Sequence, residues 1–356
     1  MTARPDAIRG ATIVGTGMYV PDQVLTNQDF ERMVETSDAW IRERTGIRER
    51  RIAPPDMPSS ELSVRAARRA LEMAKVAPDE IDQIIVGTTT PDRILPSCAC
   101  TLQAKLGASR AAAWDLFAAC SGFIFALGAA RSAIGIGMAD TVLVIGVEEL
   151  SRIVDYTDRN TCVLFGDGAG AAVLRPCAPG EGVVAVSIHS DGMLGDLLEV
   201  PAGGSLTPAS HETVDQRGHF IKMRGKELFK VAVRGMEESL RHALDQAGMT
   251  AADLDLVIPH QANQRIIDAT RERLGVPPEK VVMNIDRYGN TSSASIPISL
   301  DEMVRAGRLA PGNCVGFVAF GGGVTWGASV VRWTMAVPEH VVDAEAVTSA
   351  RAVGPV

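Results

Sequence analysis

The strongest constraint on this chain is an internal echo. Residues 64–87, VRAARRALEMAKVAPDEIDQIIVG, and residues 240–260, LRHALDQAGMTAADLDLVIPH, both read as a helix, a short acidic turn and a buried strand. Ile81-Asp82 and Leu254-Asp255 stand 173 positions apart, Gly107 of KLG and Gly275 of RLG stand 168 apart, and Val142 and Val315 stand 173 apart. One such echo is common among helix–strand units; three in register imply a duplication. The expected division is an N-terminal half over 1–180 and a C-terminal half over 181–335. Residues 336–356 show no strong period and are expected to form a flexible tail.

Within each half, apolar β-type runs alternate with helical patterns, which predicts an α/β fold. The strand-like runs are ATIVGTGMYV, IDQIIVGTTT, TVLVIGVEE, AGAAVLR, LDLVIPHQ, KVVMNIDRYG, CVGFVAFGGG and ASVVRW. After Ser60, Val64, Ala67, Leu71 and Ala74 share one helical face, and Arg65, Arg68, Arg69 and Glu72 the other. Aromatic residues are only 4%, so the core must be built from Ala, Val, Ile, Leu and Met.

A formal charge of −8 argues against nucleic acid as a partner, because phosphate neutralisation needs clustered Lys and Arg. No apolar run approaches the length of a membrane span, and the first twenty residues hold no signal-type apolar stretch. Six irregularly spaced cysteines make no disulfide framework, and the Cys98/Cys100 pair has no companions for a metal site. A cytoplasmic protein without a bound metal is the expectation. GDGAGA (166–171) lacks the spacing of a phosphate loop, so its small residues are read as strand packing.

The duplication singles out one cysteine. Adding about 170 to Cys120 reaches Asn290 in NIDRYGNTSSAS, and both are expected to follow a strand, precede a helix and face each other near a pseudo-axis. His260 follows a third strand in VIPHQAN. Ligands of open α/β sheets bind at such strand ends. Cys120 opens SGFIFALGAARSAIGIG, which holds a single charge, Arg131, so the helix belongs in the centre of the protein. A thiol at its N-terminus is expected to be biased towards thiolate, with free backbone N–H groups able to hold an oxyanion. Taken singly, the cysteine reads as a buried small hydrophobe, the histidine as structural, Asn290 as a helix cap and FGGGVTWG as a turn between strands. Together, Cys, His and Asn suit a site in which His and Asn donate hydrogen bonds to a thioester carbonyl during decarboxylation. A papain-like site uses the same three residue types, but its local sequence around the cysteine is absent.

The segments TSDAWIRERTGIRER, DLFAACSGF, LFGDGAGAAVL, VIPHQANQRII, RYGNTSSASIP and AFGGGVTWG resemble the β-ketoacyl-acyl-carrier-protein synthase III family, in the same order and across about residues 10–334. The resemblance implies the thiolase fold, five αβαβα layers, and a homodimer. It also implies an acyltransferase that loads an acyl-CoA primer on cysteine and condenses it with malonyl-acyl-carrier protein to begin type II fatty-acid synthesis. CoA thioesters are then substrates, and no cofactor is implied. On this resemblance Cys120 is the nucleophile, His260 and Asn290 polarise the malonyl thioester, and His260 assists thiol deprotonation. The backbone N–H groups of Cys120 and Gly322 form the oxyanion hole. Thr36, Trp40, Arg44 and Arg159 hold CoA, Phe229 and Asn263 line the pantetheine channel, and Arg265 docks the acidic carrier protein. Leu95 stands where straight-chain members carry a phenylalanine that closes the acyl pocket across the dimer, so an acetyl primer is not implied. The alternatives are a same-fold ketosynthase with another primer or acceptor in secondary metabolism, or a non-catalytic partner subunit.

Overall fold

The computed structural model describes residues 8–336. Nine strands make one mixed sheet: β1 (Gly10–Tyr19), β2 (Gln83–Gly87), β3 (Ala112–Leu116), β4 (Val142–Glu149), β5 (Asp167–Cys177), β6 (Gly182–Ser190), β7 (Leu256–Pro259), β8 (Cys314–Gly321) and β9 (Thr325–Arg332). Their order is β7-β8-β9-β6-β1-β5-β4-β2-β3. Read outward from the centre, β1-β5-β4-β2-β3 on one side answers β6-β9-β8-β7 on the other. Val281 bridges Val257 where a fifth strand of the second side would lie. In each side the three strands nearest the centre alternate in direction and the next outer pair is parallel. The two sides meet through a single parallel pair, Ala11 with Gly182.

Seven helices position the rest: α1 (Asp38–Thr45), α2 (Ser59–Ala74), α3 (Cys98–Leu106), α4 (Gly122–Gly135), α5 (Gly225–Gln246), α6 (Gln264–Leu274) and α7 (Ser295–Arg305). Helices α2 and α3 cover the outside of the first side, α5 and α6 the outside of the second, and α4 and α7 lie between them. This is the five-layer αβαβα arrangement of the thiolase fold. The side chains explain the layers. Helix α2 buries Val64, Ala67 and Leu71 while Arg65, Arg68, Arg69 and Glu72 stay in water, so it can serve only as an outer layer. Helix α4 buries Phe123, Ile124, Ala126, Leu127, Ala130 and Ile134 around its circumference and can only be central.

Glycine sets how closely the central helices approach the sheet. A Cβ at Gly146 of β4 would lie 2.2 Å from the Ser293 carbonyl oxygen, and one at Gly170 of β5 would lie 2.6 Å from Pro297 Cβ. Helix α7 and the turn before it therefore sink onto the strands, which is the packing role read from GDGAGA.

Two expectations need correction. KVVMNIDRYG is not a strand; apart from the Val281 bridge it forms a short helix, Ile285–Tyr288. The Gln261 side-chain oxygen accepts from the N–H groups of Asn284 (3.1 Å) and Ile285 (3.2 Å), so a side chain satisfies backbone that a ladder would otherwise pair. Strands β3 and β6 are absent from the runs read in the sequence. AAWDL has little β propensity and is recruited by its parallel ladder with β2. The expected tail lies outside the described residues beyond its first position.

Candidate active site

Cys120 sits in the middle of a single 3-10 turn, Ala119–Ser121, that joins β3 to α4. Ala119 has φ 45°, a left-handed conformation that reverses the chain before the helix begins. The turn is clamped from the other half of the molecule. Thr325 Oγ1 donates to the Ala118 carbonyl at 2.8 Å, and Ser121 Oγ donates to the Thr325 carbonyl at 3.2 Å. Gly321 closes the contact, since a Cβ there would lie 2.6 Å from the Cys120 nitrogen. No side chain caps α4; the turn itself satisfies the first N–H groups, with the Ser121 N–H donating to the Ala118 carbonyl at 3.0 Å and that of Gly122 to the Ala119 carbonyl.

The thiol is more buried than the helix-end argument anticipated. Cys120 is 8% exposed, and burial pushes it up to about 12; the Ser292 hydroxyl pulls the other way, and the Glu148 carboxylate adds to the rise. The expected bias towards thiolate is therefore overridden by desolvation.

His260 follows β7 directly, and its N–H donates to the Val318 carbonyl at 2.8 Å. Its Nδ1 lies 2.7 Å from Ser295 Oγ, while Nε2 is buried without a partner. Burial brings the imidazole down to about 3, so it is neutral near pH 7. Ser295 can accept from Nδ1–H or donate to bare Nδ1, which leaves Nε2 free as acceptor or donor respectively. Gln261 braces the segment by donating to the carbonyls of Pro259 (3.0 Å) and Val282 (3.1 Å).

Contrary to expectation, Asn290 follows no strand; the helix Ile285–Tyr288 and Gly289 precede it. Its N–H donates to the Leu164 carbonyl at 2.8 Å, and its own carbonyl accepts from Gly166 at 3.0 Å. Its side-chain oxygen accepts from the Ser292 N–H at 2.8 Å, which fixes the amide and turns its NH2 away from that bond. Gly289, at φ 64°, is required because a Cβ would lie 2.8 Å from the Leu164 carbonyl oxygen.

Two cavities meet at Cys120. One of about 410 Å³ is lined by Cys120, His260 and Asn290 at its base and by Phe229, Asn263 and Arg44 along its length, with Trp40 also in its wall. Half-buried Trp40 is flanked by two exposed guanidinium groups, Arg44 at 5.7 Å and Arg159 at 5.0 Å from the ring centroid. Asn263 donates to the Arg44 carbonyl at 3.0 Å and accepts from the Arg265 N–H at 2.9 Å, tying α6 to α1. Exposed Arg265 lies 6.0 Å from the Phe229 ring centroid. Of the three arginines in this helix, Arg271 and Arg273 pair with Asp268 and Glu237, whereas Arg265 has no carboxylate partner among the described residues. Thr36 stands in the loop before α1 with its hydroxyl buried and unpaired, outside the residues lining the cavity.

The second cavity, about 470 Å³, continues beyond the sulfur and is mainly apolar, with Phe117, Leu150, Ile153, Phe165 and Leu198 in its wall and Gly322 beside Cys120. Leu95 is not part of it; the residue is 84% exposed on its own chain. Sequence reasoning did not single out Ser292, Ser295, Gln261 or Glu148. The run NTSSAS at the mouth of a buried helix was the available signal, because so many hydroxyls enter a core only with partners.

Comparison with known proteins places the chain among relatives of one family. Residues 114–192 match the family described as 3-Oxoacyl-[acyl-carrier-protein (ACP)] synthase III, and residues 244–333 match its C-terminal region. The chain is 55% identical over 322 residues to the beta-ketoacyl-[acyl-carrier-protein] synthase III of Desulfitobacterium hafniense strain DSM 10664 / DCB-2, covering 90% of this chain and 97% of that one. It is 54% identical to the protein of the same name from Symbiobacterium thermophilum, covering 92% and 99%. The crystal structure of 3-oxoacyl-[acyl-carrier-protein] synthase III from Aquifex aeolicus VF5 superposes with a TM-score of 0.84 at 48% identity, covering 91% of this chain and all of that one. A buried Cys–His–Asn set at the junction of two cavities, on this fold and at this identity, has one reading: the chain belongs to the 3-oxoacyl-[acyl-carrier-protein] synthase III family and is a condensing acyltransferase.

Proposed function

We propose that the chain transfers an acyl group from an acyl-CoA primer to Cys120 and condenses it with malonyl-acyl-carrier protein. The products are 3-oxoacyl-acyl-carrier protein, CoA and CO2, in the opening step of type II fatty-acid synthesis. The observation that carries this reading is the pair of free polar groups in one cavity with the thiol: unpartnered His260 Nε2, which is a donor when Ser295 donates to Nδ1, and the Asn290 amide turned by Ser292. In the first step Cys120 Sγ attacks the primer carbonyl, and the N–H groups of Cys120 and Gly322 hold the oxyanion. The acyl chain enters the apolar cavity beyond the sulfur. In the second step His260 and Asn290 donate to the malonyl thioester oxygen, CO2 leaves, and the resulting carbanion attacks the acyl-cysteine. Neutral donors suit this step because the developing charge is on the substrate.

The outer cavity supports the substrate assignment. Trp40 between Arg44 and Arg159 fits an adenine with its phosphates, with Thr36 close by in sequence; Phe229 and Asn263 fit the pantetheine arm. Unpaired Arg265 at the cavity mouth fits an acidic carrier protein. No resident cofactor is part of this reading. A homodimer is: β3 is an edge strand, and Ile94, Leu95 and Phe117 near it are 89%, 84% and 69% exposed, an apolar surface suited to a second copy that receives Leu95 at its acyl pocket. The two duplicated halves, 1–180 and 181–335, and a cytoplasmic setting belong to the same reading; all six cysteines are unpaired, and among the described residues no helix is long and apolar enough to cross a membrane. The intact Cys, His and Asn set favours this reading over a non-catalytic subunit.

The test is a panel of straight and branched acyl-CoAs with malonyl-acyl-carrier protein, read by mass of the acylated protein and by CO2 release. At least one short acyl-CoA is expected to label Cys120, and Cys120→Ser is expected to abolish labelling. Absence of a label from the whole panel sinks the reading.

A further inference from the structure

A second ionisable group lies behind the nucleophile and has no part in the steps above. Glu148, near the end of β4, is fully buried, yet no cation touches it among the described residues. Its carboxylate instead collects neutral donors: Thr90 Oγ1 at 2.6 Å, Thr89 Oγ1 at 2.9 Å, the Thr89 N–H at 3.1 Å and Ser292 Oγ at 3.1 Å. So many donors favour the ionised form, while burial without a counter-charge raises its proton affinity. A buried carboxylate with no cation is costly, and groups perturbed in this way cluster at functional sites. Ser292 is the bridge. Its hydroxyl donates to Glu148 at 3.1 Å, and it lines the same cavity as Cys120, where it offsets part of the rise that burial imposes on the thiol.

Resting on the condensing reaction above, we propose that Glu148 stores the Cys120 proton during the catalytic cycle, with Ser292 as the relay. As Sγ forms its bond to the primer carbonyl, its proton passes to Ser292 Oγ while the Ser292 proton passes to Glu148 Oε1. The CoA sulfur leaves as a thiolate and takes a proton from solvent. The acyl-enzyme therefore holds a neutral carboxylic acid at Glu148. After decarboxylation, the carbanion attacks the acyl-cysteine and expels Cys120 as a thiolate. Glu148 returns the proton through Ser292, which regenerates thiol and carboxylate. One negative charge moves between carboxylate and sulfur, and none is created in the buried site. Transfer to His260 would instead make two buried charges from two neutral groups. His260 is then free to remain a neutral donor throughout.

The test is infrared difference spectroscopy of the whole protein before and after acylation by acetyl-CoA or another accepted acyl-CoA, with loading rates for Glu148→Gln and Ser292→Ala. A protonated-carboxyl band that shifts in D2O is expected to appear on acylation of the wild type and to be missing in E148Q. Loading by E148Q and S292A is expected to slow by ~10²-fold or more. A Glu148 that acts only as a fixed charge predicts the opposite sign, because removing it lowers the thiol pKa and speeds loading. Loading by E148Q at or above the wild-type rate, or acylation of the wild type without a new band, overturns the proposal alone. A wild type that takes no acyl group from any acyl-CoA overturns the proposed function with it. If E148Q does not fold, the wild-type band and the S292A rate still decide.

Discussion

Residues Ala118–Ser121 and Thr291–Ala294 make the same bend twice. Ala119 and Ser292 adopt φ 45° and 47°, each opens a single 3-10 turn, and each turn feeds a buried central helix that has no side-chain cap. They stand 173 positions apart, the offset of the strand echo. By this geometry the counterpart of Cys120 is Ser293, not Asn290. The first turn presents a thiol to the junction of two cavities. In the second, Ser293 donates to the Gly87 carbonyl at 2.7 Å and locks the turn onto the sheet, while Ser292 and Ser295 orient Asn290 and His260. A shared backbone device thus presents a thiol on one side and aligns neighbouring polar groups on the other.

Four measurements sharpen or break that contrast. The largest effect is expected for Asn290→Ala, which on the proposed function removes a donor needed only in the second step: condensation is expected to fall by ~10²–10³-fold while acyl-CoA loading is kept. Equal losses in the two steps would contradict the division of labour. Next is Gly146→Ala, whose new methyl meets the Ser293 carbonyl and pushes the alignment turn off the sheet. Urea unfolding is expected to show a loss of ~2–3 kcal/mol, against about 1 kcal/mol for Gly107→Ala, where the φ of 77° is strained but space is open.

The third is a pH effect. The His260 folded pKa of about 3 lies below its ordinary 6.5, so the unfolded chain binds the proton more readily. Its contribution to stability is complete above pH 6.5 and is lost as pH falls towards 3, with a slope of up to ~1.4 kcal/mol per pH unit. His260→Gln is expected to flatten the curve in that window; an unchanged curve means the imidazole is not buried neutral. The smallest effect is expected for Arg265→Glu: a rise of roughly tenfold in KM for malonyl-carrier protein, strongest at low salt, with loading by acyl-CoA unchanged. A loss confined to loading counts against a docking role.

Much of the site was legible because its residues sit where local chemistry is unusual. A nearly uncharged helix after Cys120, a histidine next to the proline that ends a strand, and a glycine run before a strand all announce themselves along the chain. The helix faces of α2 and α4 were equally plain, since periodicity states which side is buried. The partners of those residues were not legible. Glu148 lies 28 positions from Cys120, and the Thr325 hydroxyl that clamps the Ala118 carbonyl reaches across the two halves, so nothing local marks either of them. Strand β3 was missed for a related reason: its residues are ordinary, and its conformation comes from the neighbour that pairs with it.

By itself the sequence determined the duplicated α/β plan and the burial of the helix behind Cys120, since both follow from residue period and apolarity, which act over short range. Only the tertiary structure decided that Ser293, rather than Asn290, is the counterpart of Cys120. It also decided that burial raises the proton affinity of the thiol and that Ser292, in the same cavity wall, donates to buried Glu148. Those outcomes depend on desolvation and on hydrogen bonds between segments far apart in the chain, and such terms exist only once the two halves have closed on each other.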